Sequence, residues 1–135
     1  MCLNLRKSYR RFVGFDKKSF FWQKLQKQGK VICWKIYQKR INYLRSYWDR
    51  QLVTEPGNVV SDRLNKKINQ FEKEYGMIER GIHVYISKPG NLSPWRVIPV
   101  ICRKENFVAM NSTEAVFMKV EITKKTWNKI FKEKK

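Results

Sequence analysis

Hydrophobic positions change their spacing along the chain, and the change separates predicted helices from predicted strands. Residues 62–75 carry an apolar side chain every third or fourth position, which predicts an amphipathic helix that Ser61 or Asp62 caps and Gly76 ends. From Gly81 to Ser87 apolar and polar residues alternate, which predicts a strand. The helical stripe consists of Leu64, Ile68, Phe71 and Tyr75, and the inward strand positions are Ile82, Val84 and Ile86.

Two further helices are predicted near the ends of the chain. Asp16 is a suitable N-cap for a helix over residues 17–28, which Gly29 ends. The inward side of this helix consists of Phe20, Phe21, Leu25 and Trp22. Thr123 is a suitable N-cap for a last helix. The apolar patch of this last helix consists of Trp127, Ile130 and Phe131.

Residues 30–48 have two interpretations. The β-branched and aromatic run Val31–Tyr37 predicts a strand, and Leu44–Trp48 predicts a second short strand. Ile32, Trp34 and Ile36 then share one face of the first strand. The alternative is one long helix, because six apolar residues also lie near one helical stripe: Phe21, Leu25, Ile32, Ile36, Tyr43 and Tyr47. Gly29 and the β-branched run favour the strand.

Three more strands and two turns complete the prediction. Pro99 lies inside the strand Trp95–Arg103 and cannot donate to a ladder, which indicates a sheet edge or a bulge. The remaining strands are Asn106–Met110 and Ala115–Ile122, the latter with Val116, Met118, Val120 and Ile122 inward; the turns are Glu55–Asn58 and Lys88–Asn91. Together these elements predict one α+β domain over residues 1–135. It has a mainly antiparallel sheet of four to six strands, two to three flanking helices and a basic, mobile segment 1–15.

Composition then indicates a class of partner. The 135 residues include 30 basic and 11 acidic side chains, giving a net charge of +19, and 42% of the residues are hydrophobic. The apolar content suffices for a core and excludes wholesale disorder. Solubility of a small domain needs a net charge of magnitude only about 2–8. The surplus therefore indicates a polyanionic partner, and residues 1–50 hold 14 of the basic side chains against 2 acidic ones.

Cysteines, histidine and carboxylates offer little for metal or redox chemistry. Cys2, Cys33 and Cys102 form no CxxC pair, and His83 is the sole histidine, so a four-ligand zinc site would need all four residues to converge. We expect no metal and no cofactor. Three scattered thiols are typical of a reducing, cytoplasmic setting, in the host cell if the protein is phage-encoded. No apolar run approaches the roughly 20 residues of a membrane span.

Several short motifs resemble a small domain of phage and bacterial proteins that is sometimes attached to pentapeptide repeats. The resemblance covers about residues 31–122. It rests on Ile32–Tyr37, Arg45–Tyr47, Pro56-Gly57, the Gly-Ile-His strand Arg80–Tyr85, Val97–Val100, Asn106–Ala109 and Ala115–Phe117. The family has a Tyr where Trp34 precedes Lys35 here. The resemblance implies an α+β fold and a phage-associated protein; the family has no settled activity, so it implies no catalytic residue.

The candidate binding residues are cations interleaved with aromatic side chains in the N-terminal third. Lys and Arg side chains contact phosphates and release condensed counterions, and exposed aromatic rings stack on bases. The set consists of Arg6, Lys7, Arg10, Arg11, Lys35, Lys39, Arg40 and Arg45, with Tyr47 and Trp48 as stacking platforms. It predicts a basic protein that binds RNA or DNA through the phosphate backbone, with little base readout.

Two alternatives remain open. A small phage-like basic protein is also suited to inhibit host defence by docking on an acidic surface of a host protein or nucleoprotein complex. The enzymatic alternative is a metal-independent ribonuclease in which His83 acts as acid or base, and we otherwise expect no catalytic residue.

Overall fold

The computed structural model describes residues 3–4, 20–46, 51–61, 77–78, 81–90, 95–110 and 113–132. Within these ranges the chain forms eleven strands, two α-helices and one 3₁₀ turn. In chain order the elements are β1 (Leu3–Asn4), α1 (Phe20–Gln28), β2 (Lys30–Lys39), β3 (Leu44–Ser46), β4 (Leu52–Val53), β5 (Gly57–Val60), β6 (Met77–Ile78), β7 (Ile82–Tyr85), β8 (Trp95–Arg103), the 3₁₀ turn Lys104–Asn106, β9 (Phe107–Met110), β10 (Glu114–Phe117), β11 (Lys119–Ile122) and α2 (Lys124–Lys132).

Nine of these strands form one antiparallel sheet. Seven follow the order β5-β11-β8-β2-β7-β10-β9, while β3 pairs with the end of β2 and β4 pairs with β3. The strands β1 and β6 form a separate antiparallel pair. The α+β class and the mainly antiparallel sheet are thus confirmed, but the predicted count of four to six strands is wrong. Two-residue strands such as β4 are too short to show any periodicity in the sequence.

The predicted strand Ala115–Ile122 is in fact two strands, because the chain bends at Met118. The Met118 N–H donates to the Asn106 carbonyl oxygen at 2.8 Å and not to a neighbouring strand. Before the bend β10 pairs with β7, and after it β11 pairs with β8. Since β7 and β8 both flank β2, the bend curls the sheet around the core. Phe117 is fully buried, although strict alternation had predicted an outward position.

Gly29 separates α1 from β2 and settles the two interpretations of residues 30–48. Its N–H donates to the Leu25 carbonyl oxygen at 2.8 Å, and its φ of +78° is a left-handed conformation that other residues rarely adopt. Residues 30–39 then form a strand, which confirms the strand over the helix. Residues 44–46 form the second short strand, and residues 47–48 lie outside the described part of the chain.

The two faces of β2 differ in burial. On the side that we call the inner face, Val31, Cys33 and Tyr37 join the hydrophobic core. The opposite side, the outer face, carries Ile32, which is 54% exposed, and the half-buried Trp34. The residues expected to share one face therefore do so, but at Ile32 that face is open to solvent.

Pro99 lies opposite Trp34 in the middle of the β8–β2 ladder. On its other side β8 pairs with β11 only at Ile101 and Cys102, so no described strand continues the sheet next to Pro99. The missing N–H is tolerated because β8 is an edge at this position, although it is an interior strand further along. The predicted edge position is therefore confirmed for Pro99, but β8 as a whole is not an edge strand, because it pairs with both β2 and β11.

Two of the remaining predictions concern described residues, and the others concern residues outside the described part of the chain. The Thr123 hydroxyl oxygen accepts from the Thr126 N–H at 3.1 Å, which confirms the N-cap of α2. Gly57 has the positive φ expected from the Pro-Gly turn, at +121°, but it already begins β5. The proposed caps Asp16 and Asp62, the helix predicted up to Tyr75, and the segment 1–15 apart from β1 lie outside the described residues.

Candidate nucleic-acid interface

Lys35 lies inside the fold. Alternation along β2 places it on the inner face, where it is 5% exposed. Its Nζ donates to the His83 carbonyl oxygen at 3.1 Å and lies 6.0 Å from the centroid of the Tyr37 ring. A buried ammonium group is tolerated only where polar partners replace its water. Because this ammonium group is engaged in the interior, we leave Lys35 out of the proposed surface.

Three other predicted cations, Lys39, Arg40 and Arg45, lie on one hairpin. We call residues 39–45, which connect β2 to β3, the basic hairpin. Lys39 pairs with Leu44, and the Arg40 N–H donates to the Tyr43 carbonyl oxygen at 2.8 Å, which closes a tight tip. Arg40 is exposed at this tip. The hairpin therefore places three of the predicted cations at one end of the sheet.

Packing fixes two of these cations. The Arg45 Nη2 donates to Gln38 Oε1 at 3.1 Å across the β2–β3 ladder. The Lys39 Nζ lies 5.3 Å from the centroid of the Phe131 ring on α2, a cation–π distance. These contacts position the side chains without neutralising them, because none of them involves a carboxylate.

Apolar side chains stand beside the same cations. Ile41 at the hairpin tip is 94% exposed, the largest exposure among the large hydrophobic residues that the structure describes. Leu52, which pairs with Arg45 across the β3–β4 ladder, is 58% exposed. The basic hairpin therefore combines positive charge with an uncovered apolar tip. The other predicted binding residues, Arg6, Lys7, Arg10, Arg11, Tyr47 and Trp48, lie outside the described part of the chain.

His83 is 7% exposed in the middle of β7. Its neighbour across the β10 ladder is the fully buried Val116, and its backbone carbonyl receives the Lys35 ammonium group. An acid or base must reach the substrate directly or through one water. In this conformation the imidazole is shielded from a bound RNA, which favours a structural role for His83.

The two described cysteines adjoin each other on the inner face. Cys33 and Cys102 are free and fully buried, on the neighbouring strands β2 and β8. Burial raises the pKa of the Cys102 thiol well above its ordinary value, the hydrogen bond to Cys33 acts in the same direction, and Lys35 opposes both. A thiol held neutral is a poor nucleophile and a poor metal ligand. Among the described residues no cluster of three potential metal ligands occurs.

Another polar surface lies on the outer face of the sheet, at the N-terminal end of β2, opposite to the end that carries the basic hairpin. An open cavity of about 340 Å³ lies over β5, β11 and β8, and we call it the outer cavity. Its lining residues are Asn58, Ile101, Arg103, Glu105, Asn106, Lys119, Val120 and Glu121. Arg103 Nη2 lies 3.1 Å from Glu121 Oε1, an ion pair between two partly exposed side chains.

Two lysines flank the Arg103–Glu121 ion pair. Lys30 is exposed and pairs directly with Arg103 across the β2–β8 ladder, and Lys119 lies on the other side of Arg103 on β11. Within the described part of the chain neither lysine forms an ion pair. Like charges on neighbouring strands are destabilising. A ligand with negative charge would relieve this repulsion.

Sequence reasoning missed this second surface. The alternation of Lys119 and Glu121 with the inward Val120 and Ile122 already places both charges outward. What the sequence does not contain is the pairing of β11 with β8 and of β8 with β2, which brings Lys119, Arg103 and Lys30 together.

Comparison of the chain with protein-family models, with curated proteins and with solved structures finds no match. The resemblance to the phage and bacterial domain therefore stays a hypothesis from sequence. Neither of the helices among the described residues is long and apolar enough to cross a membrane.

Proposed function

We propose that this protein binds RNA or DNA through the phosphate backbone, and that the basic hairpin is one of its contact surfaces. The observation that carries the proposal is the presence of Lys39, Arg40 and Arg45 on one hairpin, with Arg40 exposed at the tip and Lys39 and Arg45 half-buried, none of them paired with a carboxylate among the described residues. The net charge of +19 supports the same class of ligand over the whole chain. A phage-associated setting agrees with the sequence resemblance and is part of the proposal.

The chemistry of the hairpin favours phosphate contacts over base readout. Arg40 is a long, exposed cation at the tip, and such a cation contacts a backbone of negative charges without needing one base sequence. The hairpin carries one side-chain amide at its tip, Asn42, and base readout generally requires several directed donors and acceptors on a rigid element. Affinity should therefore depend on charge and salt more than on sequence.

A salt series on defined oligonucleotides tests this proposal. We expect the logarithm of the association constant to fall linearly with the logarithm of salt concentration, with a slope of about −2 or steeper, since each phosphate contact contributes about −0.7 on single strands and −0.9 on duplexes. Fluorescence anisotropy with matched single- and double-stranded probes measures the slope and the preferred form together. A flat titration, or no binding at low salt, would contradict the proposal.

Docking on a host protein is the second candidate function, and exposed Ile41 and Leu52 favour it. Central apolar anchors dominate binding to protein surfaces, whereas a phosphate backbone offers no pocket for them. In a nuclease-treated system with a purified acidic host protein, we expect an Ile41→Ser variant to lose binding by roughly tenfold or more if this function is correct, in line with a hot-spot contact. If Ile41→Ser leaves that binding unchanged, the apolar tip is not an anchor and the docking function is contradicted. Oligonucleotide affinity serves as the control, because the substitution leaves the charge unchanged.

A further inference from the structure

The outer cavity combines groups that no simple ion would satisfy together. Arg103 and Lys119 are positive, Glu105 and Glu121 are negative, and Asn58 and Asn106 contribute amides. Two carboxylates repel a phosphate inside the cavity, and an apolar ligand would leave these polar groups without partners. A planar, uncharged group with donors and acceptors along its edges fits this lining.

The geometry of the cavity adds to this chemical argument. Its volume of about 340 Å³ lies at the small end of ligand sites and exceeds the space of a few waters. Ile101 supplies an apolar side chain on the sheet face, and the partly exposed Arg103 guanidinium donates to the Glu121 carboxylate through Nη2. The planar guanidinium of an arginine is a stacking surface for a nucleobase. Glutamate and asparagine side chains pair with base edges.

The charges around the cavity complement the charges within it. Lys30 stands next to Arg103 outside the lining, and Lys104 is exposed on the adjoining 3₁₀ turn. Both adjoin lining residues, since Lys30 lies across the ladder from Arg103 and Lys104 lies between Arg103 and Glu105 in the sequence. With ten residues in β2, this group lies about 30 Å from the basic hairpin at roughly 3.3 Å per residue.

We propose that the outer cavity receives one unstacked nucleobase of a single-stranded nucleic acid, whose flanking phosphates contact Lys30 and Lys104. This inference rests on the proposed nucleic-acid binding and specifies its substrate as single-stranded. Bases in a duplex are stacked and paired, so they do not enter such a cavity without being extruded.

Two probes with the same number of phosphates test the inference. One is a single-stranded DNA of roughly 20 nucleotides with mixed bases, and the other is the same backbone made of abasic tetrahydrofuran units. We expect the base-bearing strand to bind about fivefold or more tightly at equal salt, the lower end of what stacking one base contributes. Arg103→Lys keeps the charge but loses the planar group, so it should bring the ratio towards one with an unchanged salt slope.

Arg96→Lys is the matched control, because Arg96 is an exposed arginine on the same strand as Arg103 that lies outside the cavity lining and outside the basic hairpin, and it should leave the ratio of the two affinities unchanged. If both probes bind equally to the unaltered protein with a steep salt dependence, the base site is wrong and the phosphate-binding function stands. If the ratio survives in Arg103→Lys, bases are recognised elsewhere and the assignment to the outer cavity is wrong. If neither probe binds at low salt, the proposed function and this inference fail together.

Discussion

Replacing Lys39, Arg40 and Arg45 together by glutamine is expected to weaken oligonucleotide binding on the order of 100-fold at 0.1 M salt. The three side chains share one hairpin, and each phosphate contact that is lost removes nearly one released counterion. The salt slope should become shallower by about 2 to 3, and the loss should be similar for all base sequences. Anisotropy titrations at several salt concentrations measure both quantities.

A triple variant with the same loss of charge is the control for this experiment. Lys24 and Lys27 are exposed on α1, and Lys88 is exposed after β7, so their replacement by glutamine also removes three positive charges. If the surplus charge acts as a diffuse coat, both variants lose affinity equally, and the proposed role of the basic hairpin is wrong. Equal thermal midpoints for the three proteins exclude unfolding as the cause, since Lys39 also packs on Phe131.

The sequence predicted most elements of the fold but not the face that each strand buries. The bounds of β8 agree with the predicted Trp95–Arg103, because a long alternating run between turn residues is a strong signal. On β2 the apolar residues occupy both faces, so the period of two did not show that Val31 and Cys33 face the core more closely than Ile32. Central strands with two apolar faces have this ambiguity in general.

Lys35 is a second case in which the sequence pattern did not show whether a strand residue is buried. In the sequence it is a cation among aromatic residues, like Lys39 four positions later. In the fold these two lysines lie on the same face of β2, but one is buried against the β7 backbone and the other packs at the strand end beside α2. The two lysines differ in burial because they lie at different positions along β2. The burial at each position depends on which other elements cover the sheet there. Such long-range packing is absent from local sequence patterns.

The distribution of charge also differs from the one that a single track would require. Two groups of described cations lie at opposite ends of β2, the basic hairpin and the region around the outer cavity, while others such as Lys24, Lys27 and Lys88 lie elsewhere. The first group was predicted from its aromatic neighbours, and the second depends on strand pairing that no local pattern contains. A single-stranded ligand is flexible enough to contact both ends of β2, whereas groups at opposite ends of the strand do not match the groove of a straight duplex equally well.

Phe117 links the sheet to α1, and its replacement by alanine is expected to lower the free energy of unfolding by about 3–5 kcal/mol. The side chain is fully buried, and its ring lies 5.7 Å from the ring of Phe107, which in turn lies 5.2 Å from the ring of Trp22 on α1. Truncation removes an edge-to-face contact and leaves a cavity beside the bend at Met118, where rigid backbone hydrogen bonds limit collapse.

Urea denaturation followed by tryptophan fluorescence measures the loss, with Phe20→Ala as the matched control. Phe20 is the same residue type at 80% exposure, so the prediction from sequence that it faces inward is wrong, and its truncation should change stability by no more than about 0.5 kcal/mol. If Phe117→Ala does not fold, Phe117→Leu should still show a smaller loss in the same direction, since it retains part of the buried volume. Equal stability of the Phe117 and Phe20 variants would mean that the bend between β10 and β11 does not enclose a packed core. The curled sheet would then lose one of its supports, because Phe117 is the fully buried side chain next to the bend at Met118.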